Sequence, residues 1–473
     1  VTIVSSTATD WDVELASIEL PRFDLPREYP TIPADVRKTR LSRFEAAAIE
    51  RGLDAVLIYG DREHFANTSY LTGFDPRYEE SLLIVVPGRT PRFLVGNESV
   101  AYASITPYPI DIIRFSKFSL VGQPDPEDYA LGDLLREAGL GETEIRRVGL
   151  VGWKYFVGSS ASDYIDVPHF IVEEVQRLVD VVENATDLLI HPDYGLRIDN
   201  DVHQLAQFEF AASHGSEAML RLLHGVQPGM TELEASALMQ PIMLPFSYHP
   251  TMLGGREHTA WGVASPTSRV LERGTPVCAG IGYWGSNTAR AGFLVHDAEE
   301  LPAGVGDYVE KLVAPYYATA AAWYETLRIG LTAGELYEVT ASRIGDDWYG
   351  VYLNPGHFIH LDEWPASPVK KESTTVFRSG NAIQLDIIPG TGTEYHTSQI
   401  EDGVLLADEQ LRVQIRELYP EMWQRAQARR DMLADVFGIT LHEEVLPLSN
   451  TAGYLPPYWL APNLAMRRLR AGK

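Results

Sequence analysis

One long amphipathic pattern, Asp201–His224 closed by Gly225, divides the chain into two stretches of different texture. Before it lie short apolar runs: Ala55–Tyr59, Ser81–Val86, Arg92–Val95, Ile110–Arg114 and Arg147–Val151. Runs of this length bounded by turn residues are strands, and Pro87-Gly88 marks a turn between two of them. A helix pattern precedes them from Ala34 to Arg51, with Gly52 at its end. Helical stretches at Asp128–Ala138, Ser160–Asp163 and Glu173–Asp180 intervene, which makes this part an α/β domain. After the long pattern, Thr231 and Glu234 have capping-box spacing at the head of a second helix, Glu232–Met243. From Gly254 the text turns glycine-rich and strand-like. Later helices fill Gly306–Ile329 and the stretch from Leu331–Glu335 to Ile344, whose opening turn echoes Gln227–Glu232 and hints at an internal duplication.

A length of 473 residues exceeds one ordinary core. The expected division is an arm at 1–35, an N-terminal domain at 36–185, a second domain at 186–445 and a C-terminal strap at 446–473, rich in Pro, Tyr, Leu and Trp. The net charge of −26 disfavours nucleic acid and anionic lipid as partners. Arg467-Arg468-Leu469-Arg470 is a basic cluster of the size expected for a solvated tail. Cys278 is the single cysteine, so no disulfide forms within the chain. With no apolar leader and no continuous apolar span, the expectation is a cytoplasmic protein without membrane contact.

Asp386 stands out because it sits in the apolar run Ala382–Ile388. A carboxylate in a buried strand is costly unless it is paired or binds something; the alternative is an alternating strand that turns Asp386 to water beside Gln384. Glu401, in Ser398–Val404, reads either as a site acid or as an acid where a strand enters a turn. His357 and His360 are three apart beside Gly356, which favours a loop or strand, and one of the two is expected to be structural. Other polar strings are Tyr248-His249-Pro250, Arg256-Glu257-His258 and Asp362-Glu363-Trp364-Pro365.

In order, these strings resemble the pita-bread hydrolases, the creatinase and aminopeptidase P family. Pro228–Glu232 is similar to that family's PGMTE turn, and Tyr248-His249-Pro250 to its YHP step. Cys278-Ala279-Gly280 and Asn287-Thr288-Ala289-Arg290 stand where D-A-G and D-x-T-R are found. Gly356–Asp362, Gln384-Leu385-Asp386 and Gln399–Val404 complete the series, and Ser69–Phe74 is similar to the YLTGF string of the leading domain. Asp362–Pro365 is also similar to a string in sulfoniopropionate lyases of the same fold, whose metal-binding carboxylates this chain lacks.

The resemblance implies a creatinase-type α/β N-terminal domain followed by a pita-bread domain with a curved, mainly antiparallel sheet. Family members that bind a metal pair use two Asp, one His and two Glu. Carried over, Cys278 and Asn287 occupy the aspartate positions, while His357, Asp386 and Glu401 remain. No metal and no other cofactor is therefore expected, and the implied activity is metal-independent, creatinase-like hydrolysis of a C–N bond in a small guanidino, amidino or amide substrate. The alternatives are an Xaa-Pro metallopeptidase with an altered site and a non-catalytic small-molecule-binding homologue. The family's histidine base falls on Gly262 or Val263, so His258, nearby in a glycine-rich stretch, joins His357, Asp386 and Glu401 as an expected catalytic residue. Arg290, His360, Tyr248, His249, Asn287 and Cys278 are expected to contact substrate; for Arg290 an ion pair with Asp386 or Glu401 is the competing role. A homodimer is implied in which the loop carrying Phe74 and Arg77 approaches the partner's active site.

Overall fold

Alternation along the strand Ala55–Gly60 builds the first of two compact units, Ile32–Ile198. Successive side chains of a strand point to opposite faces. Val56 and Ile58 pack with Leu41, Phe44 and Ala48 of the helix Ala34–Glu50, whereas Ala55, Leu57 and Tyr59 pack with Leu134, Leu135, Ile171 and Val175 of helices Leu131–Glu137 and His169–Gln176. Buried on both faces, this strand lies parallel to Arg147–Val151 and antiparallel to Ser81–Val85. The sheet has six strands, with Asp111–Arg114 and Val181–Asn184 at its edges. The turn at Pro87-Gly88 forms as its residues require, with Gly88 at φ 78°.

This computed structural model describes residues 11–158 and 161–469; Ser160 of the expected helix Ser160–Asp163 and Arg470 of the basic cluster lie outside them. The second unit comprises the residues before 32 and after 198. Its long helix, Val202–Gly225, is capped by Asp201, which accepts from the amides of His203 and Gln204. Thr231 and Glu234 form the capping box. Thr332 and Glu335 form another, and each threonine also bridges a valine, Val270 and Val376 respectively. The echo between the two turns is thus structural as well as textual. The helix after Thr231 is shorter than expected, ending at Ala237.

Six strands of this unit run in the order His357–Phe358, Ala382–Asp386, Gln399–Leu406, Thr288–Phe293, Pro276–Tyr283, Phe246–Gly254, all antiparallel. Val445–Pro447 joins the sheet through Gln399–Leu406. The expected arm and strap are not separate: Val13–Ser17 pairs with Leu464–Arg468. Between the last strands the strap is buried at Leu448, Tyr454, Leu455 and Trp459. Among the described residues no helix is long and apolar enough to cross a membrane.

Candidate active site

Strand register decides which polar side chains meet. Asp386 lies directly opposite Glu401, and Glu401 opposite Ala289 on its other side. With a period of two, Asp386, Glu401, Asn287 and Cys278 share one face of the sheet, and Arg290, Ile400 and Asp402 share the other. The first face lines a cavity of about 940 Å³, a size suited to a small molecule. Tyr248, Trp261, Tyr352 and Trp364 form much of its wall, and Glu257, Glu363, Asp386 and Glu401 give it an excess of acid over Arg256.

Behind the acids of the cavity wall, fully buried His357 is fixed by its backbone setting. Its Nδ1–H donates to the carbonyl oxygen of Phe358 at 2.9 Å, and the Trp364 ring stacks on the imidazole at 4.1 Å. Nε2 therefore faces the acids: Glu363 Oε1 at 3.1 Å, Glu401 Oε1 at 3.7 Å and Asp386 Oδ2 at 3.8 Å. Nε2 and Asp386 Oδ1 are both buried without an aligned hydrogen bond. Burial alone would lower the His357 pKa, but the charges of Glu363, Glu401 and Asp386 raise it well above the ordinary value. Burial, and then the charge of Asp386, raises Glu401; burial raises Asp386 as well. Burial acts to raise Glu363 too, but its contact with His357 outweighs this and holds it below the usual carboxylate range. Glu363 is 27% exposed. The cluster thus separates an ionised acid at the cavity wall from a proton-holding acid beneath it.

Asn287 and Cys278, which the resemblance sets at aspartate positions, both line the cavity. Asn287 Nδ2 donates to Glu401 Oε1 at 3.0 Å. Burial, with the charge of Glu232, pushes the Cys278 thiol up to about 12, so it is neutral at ordinary pH. Tyr248 lines the cavity, its hydroxyl near Thr251 Oγ1 at 3.0 Å.

Four expected site residues of this unit, Arg290, His360, His258 and His249, lie off the cavity walls, and Phe74 and Arg77 belong to the first unit. Arg290, fully buried, points to the back of the sheet, donating to Asp402 and to the carbonyls of Tyr454 and Thr451; its place one residue out of phase with Asn287 and Ala289 puts it there. His360 is fully buried with its ring edge-on to Phe208 at 5.3 Å, on no wall of the cavity. His258 turns from the cavity to Glu232, Nδ1 to Oε1 at 3.0 Å, and so is not placed as the general base. His249 is exposed beside Ser265, Nε2 to Oγ at 3.1 Å. Phe74 is a core residue of the first unit, packed on Phe93 and Tyr102, because the apolar ring gains more from burial than from an exposed loop. Arg77, in the same unit, is largely exposed and pairs with Asp75 at 2.9 Å. Glu363, in contact with His357, is a cluster residue that the sequence reading named among its polar strings but did not assign to the site. The string Asp362–Pro365 shows an acid pair a few residues after His357 but not that one of the two reaches it.

Residues 40–154 match the creatinase/prolidase N-terminal domain family. No curated protein matches the chain by sequence. Among solved structures, the Xaa-Pro dipeptidase from Bacillus anthracis is similar over 79% of this chain and 96% of its own, with 18% identity and a TM-score of 0.59. The prolidase from Thermococcus sibiricus is similar over 81% and 96%, with 15% identity and a TM-score of 0.61. The X-Pro aminopeptidase from Thermotoga maritima is similar over 78% and 95%, with 15% identity and a TM-score of 0.60. The chain therefore has the pita-bread fold of the creatinase, prolidase and aminopeptidase P group, led by a creatinase-type N-terminal domain.

That fold group implies a metal pair, and the donor set here does not fit one. A dinuclear site needs anionic oxygens that bridge the ions. At the two aspartate positions this chain offers a neutral amide and a neutral thiol, and the amide N–H already donates to Glu401, one of the acids such a pair would need. Three of the five positions keep a ligand: ligand atoms of His357, Asp386 and Glu401 lie within 4.8 Å of one another.

Proposed function

We propose that this chain hydrolyses a C–N bond in a small substrate that presents a positively charged guanidino, amidino or amino group to the acid cluster. The observation that carries the proposal is that three acids lining an aromatic-walled cavity, Glu363, Asp386 and Glu401, converge on Nε2 of buried His357. The fold of the similar peptidases, which act on C–N bonds, supports the reaction class.

In this reading water adds to the carbon of the C–N bond and gives its proton to Glu363, the ionised acid. The departing nitrogen takes a proton from Glu401, the raised acid, as the C–N bond breaks. His357, between them, returns the proton from Glu363 to Glu401, so that one water is consumed for each bond cleaved. Arg77 is the group a second copy of the chain would offer to a substrate carboxylate.

A second reading keeps the same bond but places one divalent ion among His357, Asp386 and Glu401. The grouping of ligand atoms of His357, Asp386 and Glu401 within 4.8 Å of one another, with Asp386 Oδ1 buried and unbonded, favours it. Such an ion would supply Lewis-acid polarisation of the reacting carbonyl.

Turnover of a panel of guanidines, amidines, amides and Xaa-Pro dipeptides, before and after exhaustive chelation, separates the readings. Turnover that survives chelation and is lost in Glu363→Gln supports the first. Loss on chelation with recovery on adding one divalent ion supports the second. Ligand binding without turnover of any member overturns both in favour of a binding protein.

A further inference from the structure

Glu232 lies outside the acid cluster, and its side chain has no exposed surface. Its oxygens meet four donors. Oε1 accepts from the amide of Gly254 at 3.0 Å and faces His258 Nδ1 at 3.0 Å. Oε2 accepts from the amide of Thr267 at 2.9 Å and from its Oγ1 at 2.7 Å. Gly254 and Thr267 bracket the segment 255–266, so one carboxylate ties together both ends of that segment.

The segment is a wall of the cavity. Glu257, Thr259, Ala260, Trp261 and Val263 line it. On the short helix Arg256–Trp261 His258 and Thr259 are buried, and the Trp261 ring stacks on His258 at 4.5 Å. Trp261 itself is 58% exposed. Glycines with positive φ end the helix on both sides, Gly255 at φ 89° and Gly262 at φ 63°, ψ −59°. The amide of Val263 reaches the Trp261 carbonyl at 2.6 Å, closing a γ-turn about Gly262. The wall is therefore fastened at its base and turned by glycines where it meets the ligand space.

We propose that Glu232 is a positioning residue that clamps both ends of the wall 255–266 and so sets where Trp261 and Glu257 stand over the bound ligand. This rests on reading the cavity as the ligand site. The chemistry demands an ionised acid. The two backbone amides are donors only, and a glutamine in either orientation turns its NH₂ group against one of them. Burial acts to raise the Glu232 pKa, but the hydrogen bonds from Gly254, Thr267 and His258 outweigh it and hold the group ionised.

The test uses the full chain with Glu232→Gln, and with Thr267→Val, which keeps volume and backbone amide but removes one of the four donors. Amide hydrogen exchange reads the wall, and calorimetric titration with benzamidine, an amidinium probe, reads the cavity. Exchange across 255–266 is expected to rise about tenfold in Glu232→Gln and about threefold in Thr267→Val, with the sheet strands unchanged. The benzamidine Kd is expected to rise about tenfold in Glu232→Gln, and most of that loss should vanish when Trp261→Ala is already present. Unchanged exchange in 255–266, exchange raised equally throughout the unit, or losses that simply add with Trp261→Ala would each overturn the proposal. Should Glu232→Gln fail to fold, Thr267→Val decides by the same readings. A wild-type chain that ignores benzamidine counts against the cationic-substrate reading, and exchange alone then decides the clamp.

Discussion

Asp386 and Glu401 stand directly opposite each other on adjacent antiparallel strands, both buried, on the face that lines the cavity. Like charges so placed repel, so the pair is tolerable only with a shared proton or a cation between them. His357, with Nε2 3.8 Å from Asp386 and 3.7 Å from Glu401, meets part of this need.

Stability should consequently fall as pH rises. Asp386, Glu401 and His357 all have raised pKa values in the folded chain. A group raised on folding contributes stability that is full below its unfolded pKa and lost as pH climbs through the folded one. Between about pH 6 and 9 denaturant melts should show wild type losing on the order of 1 kcal/mol more than Glu401→Gln, which has no charge to repel. Glu363, lowered on folding, acts in the opposite sense at acid pH and does not offset this loss. Parallel pH profiles for the two proteins would contradict the assignment.

Arg290 pairs with Asp402 in a site with no solvent, on the back of the sheet. Removing one partner of a buried pair leaves an uncompensated charge and costs about 3–5 kcal/mol. Arg290→Met should show that loss in equilibrium unfolding, while the folded fraction keeps its affinity for benzamidine. A selective loss of affinity without loss of stability would return Arg290 to the ligand.

Much of this arrangement was legible in the sequence. The apolar run around Asp386 announced a buried acid, the ordered strings announced the sheet, and Thr231 and Glu234 announced a capping box. The phase of a strand was not legible: Asn287 and Arg290 are close in sequence but face opposite sides, and only pairing with Glu401 and Asp402 reveals which. Long-range partners were hidden for the same reason. Nothing near His258 in sequence shows that Glu232 holds it, and the loop after His357 gives no sign that Glu363 bends back to touch it.

Cys278 should be a slow nucleophile despite lining the cavity. Its thiol is pushed up to about 12, chiefly by burial and further by Glu232. The thiolate is the reactive species. At about pH 8 iodoacetamide should modify the native chain at least about a hundredfold more slowly than the urea-unfolded chain, as followed by mass spectrometry. Equal rates would show that the thiol is neither buried nor raised.

The donor exchange at Cys278 and Asn287 is most directly tested by titrating the chelated wild-type chain with Mn²⁺ and with Zn²⁺ while counting bound ions. The prediction is at most one ion per chain, displaced by His357→Ala; two ions per chain, bound together at the cavity floor, would contradict it.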